Sequence, residues 1–147
     1  IIYLTPRGKL FNHKIAKDLS NKKVINLICG HFEGVDERVL EKKNIQEISI
    51  GDFVLSGGET AAYAVLDATL RYIPGILGNK NSIEDESFEN GLLEYPQFTK
   101  PQIWQEMEVP EVLLSGDHAK IKDWRLSKSE DITRDRRPDL WKKYKRN

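Results

Sequence analysis

Apolar positions in the first half of the chain follow two alternating rhythms. Short aliphatic runs at 1–5, 24–29 and 46–50 read as strands, and each precedes a stretch of helical spacing, at 12–20, 36–42 and 59–72. Three such repeats in succession predict α/β units around a parallel sheet. In the third helix Ala61, Ala62, Val65, Leu66, Thr69, Leu70 and Ile73 make a broad apolar face that Pro74-Gly75 terminates. The small Ala61 and Ala62 leave room for another element to come close. From 78 to 94 the chain turns polar and acidic with little periodicity, which predicts a mobile linker. Beyond Pro96 and Pro101, an apolar run at 109–114 leads to Ser115-Gly116-Asp117, a helix-start signal. Ile121, Trp124, Leu126, Leu140 and Tyr144 then predict a small helical unit. The organisation expected is an α/β domain over 1–78, a linker over 79–95 and a mainly helical domain over 96–147.

Composition narrows this picture. At 147 residues the chain has room for one core of ordinary size, or one compact domain and a smaller appendage. It opens on Ile-Ile-Tyr-Leu, which reads as the inside of a strand, so a preceding part of the sheet is expected to be missing. The apolar run from Thr60 to Leu77 is broken by Asp67, Arg71 and Pro74, and nothing resembles a signal peptide. A soluble, cytoplasmic protein with no membrane partner is expected. The single cysteine, Cys29, excludes an internal disulfide framework and is expected to act as a small hydrophobe. The net charge of zero conceals an asymmetry: residues 118–147 carry 11 Lys/Arg against 5 Asp/Glu, whereas residues 1–117 carry 12 against 18. The basic end suits a polyanion, although such tails are also common as solvated faces. Trp124 and Trp141 interleave with its cations, and aromatic rings at that spacing serve either as core or as stacking surfaces for bases.

The candidate chemistry lies in three glycine-bearing segments: Leu4-Thr5-Pro6-Arg7-Gly8, Cys29-Gly30-His31-Phe32-Glu33-Gly34, and Ile50-Gly51-Asp52-Phe53-Val54-Leu55-Ser56-Gly57-Gly58. Each follows a strand-like run, so the three converge at one sheet edge. Glycines let backbone approach a bound molecule and leave amides and carbonyls to hold it, which suits a nucleotide-like cofactor. No Gly-x-Gly-x-x-Gly or P-loop pattern is present. Leu55-Ser56-Gly57-Gly58 lacks the first glycine of a nucleophile elbow, and His13, His31 and His118 do not have metal-ligand spacing.

Taken together, these segments resemble the bacterial tRNA guanine-N(1)-methyltransferase family, TrmD, of the knotted SPOUT class. The likeness runs through Tyr-Leu-Thr-Pro-Arg-Gly at 3–8, Ile-Cys-Gly-His-Phe-Glu-Gly-Val-Asp-Glu-Arg at 28–38 and Glu-Ile-Ser-Ile-Gly-Asp-Phe-Val-Leu-Ser-Gly-Gly-Glu at 47–59. It continues through Ile-Pro-Gly-Ile-Leu-Gly at 73–78, Gly-Leu-Leu-Glu-Tyr-Pro-Gln-Phe-Thr-Lys-Pro at 91–101 and Val-Pro-Glu-Val-Leu-Leu-Ser-Gly-Asp-His-Ala-Lys-Ile at 109–121. The resemblance implies an α/β fold whose parallel sheet carries a deep trefoil knot, against the general rule that chains do not knot. It implies S-adenosylmethionine as methyl donor, a homodimer with shared active sites, and a tRNA substrate. The methyl acceptor is N-1 of guanosine 37, just 3′ of the anticodon. A magnesium requirement is not readable from the residues.

Carried over by position, the cofactor residues are Leu4, Thr5, Pro6, Gly8, Gly30, Phe32, Glu33, Ser49, Ile50, Gly51, Asp52, Phe53, Val54, Leu55, Gly57 and Gly58. In the family an Asp directly before Ser-Phe is the catalytic base; this chain reads Glu-Asp-Glu-Ser-Phe at 84–88, which puts Glu86 first and Asp85 second. Arg71 matches the family arginine beside guanine, and Glu33 the residue that reads the guanine edge. Lys120, Lys122, Arg125, Arg134, Arg136 and Arg137 are the expected phosphate contacts. The chain departs from the family at His31, where Arg is common, at Phe32 for Tyr, and at Arg7 for Gln. Two other readings compete: a noncatalytic RNA-binding module whose glycine loops are only turns, and an unrelated nucleotide-binding α/β enzyme.

Overall fold

The computed structural model describes residues 1–76 and 86–146. The chain divides into two compact units, Ile1–Lys80 and Asn81–Asn147. In the first, β1 (Ile2–Leu10), β2 (Leu27–Cys29) and β3 (Gln46–Ser49) form a parallel sheet in the order β2-β1-β3. The alternating sequence rhythm is thus realised, and β1, first in the chain, lies in the middle. Helices α1 (His13–Ser20), α2 (Glu37–Lys42) and α3 (Glu59–Leu70) follow the strands in turn.

Local chemistry sets most of these boundaries. Asn12 caps α1, its Oδ1 accepting from the Ile15 N–H at 3.1 Å, and Asp36 caps α2 by accepting from the Arg38 N–H at 2.9 Å. Asn44, at φ +49°, ends the second helix in the left-handed conformation that asparagine tolerates. β2 is shorter than the run at 24–29 suggests, and Val24 is 75% exposed. α3 stops at Leu70, before Pro74.

Alternation along β1 divides its side chains between the two faces. Ile2 and Leu4, with Ile48 of β3, meet Ile15 and Leu19 of α1 and Ala61, Ala62 and Val65 of α3 in one core. Tyr3 points the other way and is itself buried. Removing a Leu- or Ile-sized side chain from water contributes roughly 1.5–3 kcal/mol, so this cluster anchors the sheet. The apolar face expected on α3 is only partly covered: Leu66 and Leu70 remain about 40% exposed, at 41% and 40%.

One expectation is corrected here. Thr5 to Gly8 is not a loop after a strand but lies inside β1, as an irregularity between two stretches of pairing. Ile48 is paired with Leu4 and again with Lys9, so the intervening residues bulge out of the ladder. Pro6, which has no N–H to donate, is tolerated there.

In the second unit a hairpin of β4 (Ile103–Trp104) and β5 (Met107–Glu108) precedes α4 (Glu111–Leu114), α5 (His118–Arg136) and α6 (Pro138–Tyr144). Asp117 caps α5 through the Lys120 N–H at 3.2 Å, and Pro138 occupies the first turn of α6. Of the segment expected to be a linker, residues 79–85 lie outside the described residues. Residues 86–95 pack within the second unit: Leu92 is buried, and the Leu93 N–H donates to Thr133 Oγ1 at 2.8 Å. Among the described residues no helix is long and apolar enough to cross a membrane.

Ile48 is fully buried at the junction of β1, α1 and α3. Ile48→Ala should therefore cost about 2–5 kcal/mol in urea unfolding, while Val24→Ala should stay within about 0.5 kcal/mol.

Candidate cofactor site

Past the carboxyl ends of β2 and β3, and beside the bulge of β1, lies a cavity of about 490 Å³. That volume falls within the ordinary range for small-ligand pockets. Its walls come from the three glycine-bearing segments. Leu4, Thr5 and Pro6, then Gly30, Phe32 and Glu33, then Ser49, Ile50, Gly51, Phe53, Val54, Leu55, Gly57 and Gly58 all line it. Gly8 and Asp52 do not. Arg7, His31, Gly34 and Ser56, which lie in the same segments but were not among the residues carried over, also line it, as do Tyr3, Val35, Glu37, Ile48 and Ala61 from outside them. Tyr3 was legible in principle, since the alternation Ile2-Tyr3-Leu4 turns one aromatic away from the core.

Several walls exist only because side chains are absent. A Cβ on Gly30 or Gly34 would come within 2.8 Å of the Tyr3 ring or its hydroxyl, so the 30–34 loop lies directly over that ring. Gly34 also has φ +98°, a conformation that favours glycine. At Gly8 a Cβ would stand 2.3 Å from the Ile48 nitrogen, which explains a residue that shapes the bulge without facing the cavity.

The closest approach joins two loops. The Gly58 N–H donates to the Gly30 carbonyl at 3.2 Å, and a Cβ on Gly58 would lie 2.7 Å from the Cys29 Cα and 3.0 Å from the Gly30 nitrogen. The β3–α3 connection therefore presses backbone against backbone on the β2–α2 connection. Beside this crossing, His31 Nε2 and Glu59 Oε1 stand 2.6 Å apart. The hydrogen bond from His31 and the backbone at the start of α3 hold the Glu59 carboxyl below its usual range. On the opposite wall the Arg7 guanidinium donates to Glu37 Oε2 at 2.9 Å and to Glu47 Oε1 at 3.1 Å, joining the bulge to α2 and β3. Those two carboxylates, Glu37 foremost, push the Arg7 pKa further up.

The lining combines backbone amides and carbonyls with Tyr3, Phe53 and Leu55 and with charged groups of both signs. It can hold a flat heteroaromatic ring and a polar tail. Phe32, at φ +51° and 99% exposed, and Val54, 84% exposed, form an apolar rim. Among the described residues no cluster of three or more His, Cys, Asp or Glu side chains could hold a metal ion.

Other expected site residues lie elsewhere. Arg71 is the C-cap of α3, its N–H donating to the Asp67 carbonyl at 3.3 Å. Glu86 is half-buried at the start of the described part of the second unit, and Asp85 lies outside the described residues. On α5, Lys120 pairs with Asp117 at 3.3 Å and Arg134 with Asp131 at 2.6 Å, while Lys122 and Arg136 are exposed. Arg125 is half-buried, its guanidinium 4.7 Å from the Tyr95 ring centre. Arg137 grips Asp139 through two hydrogen bonds of 2.8 and 2.7 Å.

A parallel sheet whose carboxyl-end loops enclose a ligand-sized cavity walled largely by backbone defines an α/β protein with a candidate binding site at its sheet edge. The chain belongs to the tRNA (Guanine-1)-methyltransferase TrmD family, whose family model matches residues 1–143. It is 71% identical to a tRNA (guanine-N(1)-)-methyltransferase of Pelagibacter ubique (strain HTCC1062) over 147 residues, all of this chain and 64% of that protein. It is 54% identical to the enzyme of that name from Cereibacter sphaeroides (strain KD131 / KCTC 12085) over 144 residues, 98% of this chain and 58% of the relative. A Brucella canis (strain ATCC 23365 / NCTC 10854 / RM-666) relative with the same name is 52% identical over 147 residues, 60% of its own length. The chain thus spans between 58% and 64% of these three curated relatives.

Two measurements probe this geometry. Gly58→Ala keeps an allowed backbone conformation but drives a methyl group into fixed backbone, so it should lower stability by about 1–3 kcal/mol in urea unfolding. Arg137 and, to a lesser degree, local backbone amides hold Asp139 down to about 2. The depressed carboxyl means that this pair's stabilisation is present above the usual carboxylate value and is lost as pH falls through about 2. NMR titration of Asp139 should give that midpoint, and Arg137→Gln should return it toward the usual aspartate value.

Proposed function

We propose that this protein transfers a methyl group from S-adenosylmethionine to N-1 of guanosine 37 in tRNA. The observation that carries this reading is the family match over residues 1–143, combined with a cavity whose walls are the same three glycine segments that carry the resemblance. The residues present fit such a cofactor. Glycine-framed backbone at Gly30, Gly34, Gly57 and Gly58 can lie against an adenosine, and apolar Phe53 and Leu55 can cover it. When bound, this cofactor supplies an electrophilic methyl group on a sulfonium.

Alignment is then the main task of the protein, because in-line displacement needs the acceptor nitrogen held on the axis of the breaking bond. Loops at 4–8, 30–34 and 50–58 position the donor side by backbone contact. Guanine N-1 carries a proton and is a weak nucleophile, so a carboxylate must remove that proton during attack. We assign this to Glu86, with Asp85 as the alternative. Arg71 steadies the charge that develops on the neighbouring carbonyl oxygen, and Glu33 reads the guanine edge.

The same reading extends to organisation. The crossing of 50–58 over 29–30 supports a trefoil knot in the parallel sheet. Residues 1–78 are the cofactor domain, 79–95 connect, and 96–147 bind tRNA through Lys120, Lys122, Arg125, Arg134, Arg136 and Arg137. Of these cations, exposed Lys122 and Arg136 are the readiest for phosphate. Exposed Tyr63, Leu66 and Leu70 on α3 support a homodimer that shares its active sites.

The test is transfer of labelled methyl from S-adenosylmethionine to a tRNA bearing guanosine 37, using the intact protein. Glu86→Gln should reduce turnover by about 10²-fold or more while Asp85→Asn stays near wild type. The reverse pattern moves the base to Asp85. A folded, cofactor-bound protein that transfers nothing would overturn the assignment in favour of a noncatalytic RNA-binding module.

A further inference from the structure

We infer that the exposed cations closing α6, Lys142, Lys143, Lys145 and Arg146, form a phosphate-contact surface for tRNA, with the Trp141–Tyr144 ring pair as its mount. The inference deepens the reading that the second unit binds tRNA and rests on it.

Charge is divided unevenly between the two helices of the basic end. Along α5 the cations from Lys120 to Arg136 are interleaved with Asp123, Glu130, Asp131 and Asp135. Two of them are already committed, Lys120 to Asp117 and Arg134 to Asp131. Residues 140–146 instead read Leu-Trp-Lys-Lys-Tyr-Lys-Arg, with four cations and no acid, and all four cations are exposed. The acids nearest in sequence or space are occupied: Asp139 holds Arg137, and Glu130 accepts from the Tyr144 hydroxyl at 3.2 Å. Among the described residues no carboxylate forms an ion pair with any of the four.

Helical spacing gathers these charges. The Lys145 N–H donates to the Trp141 carbonyl at 3.0 Å and the Arg146 N–H to the Lys143 carbonyl at 3.2 Å, so the turn continues past Tyr144. Lys142 therefore has Lys145 and Arg146 as its neighbours three and four residues on. Like charges at those spacings repel and weaken a helix, an effect that their favourable place at its carboxyl end offsets only in part. A bound polyanion removes that repulsion.

The aromatic pair fixes where the surface lies. Trp141 and Tyr144 stack with ring centres 5.7 Å apart and planes at 25°. Lys145 Nζ stands 4.5 Å from the centre of the Trp141 ring, and the Arg134 guanidinium of α5 stands 5.9 Å from it. A ring restrains a cation without neutralising it, as a carboxylate would. Trp141 thus joins cations of both helices into one surface that keeps its charge. Such a surface suits phosphates, which carry no base identity, so it should strengthen binding to any tRNA alike.

The experiment is fluorescence anisotropy of labelled tRNA bearing guanosine 37 with the intact protein, between about 50 and about 200 mM salt. Replacing Lys142, Lys143, Lys145 and Arg146 together by Gln should weaken binding at least about tenfold and flatten the plot of log affinity against log salt by about three. An unrelated tRNA should show the same fold-loss. Lys142→Arg, Lys143→Arg and Lys145→Arg combined should bind like wild type. The double variant Lys142→Gln with Lys143→Gln, at the exposed positions nearest solvent, should lose about half of the slope change and keep the wild-type melting temperature. A control that removes the same charge from the first unit, with Gln at Lys22, Lys23, Lys42 and Lys43, should change the slope by less than about one. A wild-type slope in the folded α6 variants, an equal loss in the control, or a loss confined to one tRNA would overturn the inference while leaving tRNA binding intact. Wild-type protein that binds no tRNA would instead overturn the substrate reading, and the inference with it.

Discussion

The structure depends on one constraint above the others: the backbones of two connections, at Cys29-Gly30 and Gly57-Gly58, must approach within the width of a missing side chain. A methyl group on Gly58 would sit 2.7 Å from the Cys29 Cα, which no flexible side chain could relieve. Once those segments touch, the 30–34 loop is carried over Tyr3, the start of α3 is brought to His31, and the cavity acquires most of its far wall. The near wall follows from a second absence. Gly8 lets the β1 bulge lie on the Ile48 backbone, and Arg7 then bridges to Glu37 and Glu47. Much of the site is therefore shaped by what glycine omits, and its few side-chain contacts secure positions that backbone geometry has already set.

This accounts for what could be read from the sequence. Apolar rhythm located β1, β3, α1 and α3, because their buried faces, Ile2 and Leu4, Ile15 and Leu19, Ala61 and Val65, repeat with the period of the element that carries them. Capping residues at Asn12, Asp36 and Asp117 set helix starts closely. The bulge at 5–8 was less legible: Pro-Arg-Gly resembles the end of a strand, and only pairing to Ile48 on both sides shows that β1 resumes. Packing of 86–95 was hidden for a similar reason. Its polar composition suits a linker, while its order comes from Leu92 and from a backbone hydrogen bond to Thr133, a distant threonine with no periodic signature.

Site residues divide along the same line. Glycine-framed segments announce themselves, so most of the cavity lining could be named in advance. Tyr3 and Glu37 could not be assigned to the lining by motif, because their place depends on strand order and on which loop meets which. Cations on α5 were legible as a basic end, yet their availability was not: Arg137 is committed to Asp139 and Arg125 to Tyr95, leaving Lys122 and Arg136 more open. The chain belongs to the TrmD family, while methyl transfer at this cavity, tRNA binding by the basic second unit, the base and the shared subunit face all belong to the proposed reading.

The central claim is that the crossing loops and the β1 bulge together form the cofactor cradle. Amide hydrogen exchange of the intact protein, with and without saturating S-adenosylhomocysteine, tests this most directly. The account predicts new protection concentrated at 4–8, 29–34 and 50–58, largest around Gly30 and Gly58. Protection centred on the second unit at full ligand saturation, with the glycine segments unchanged, would contradict it.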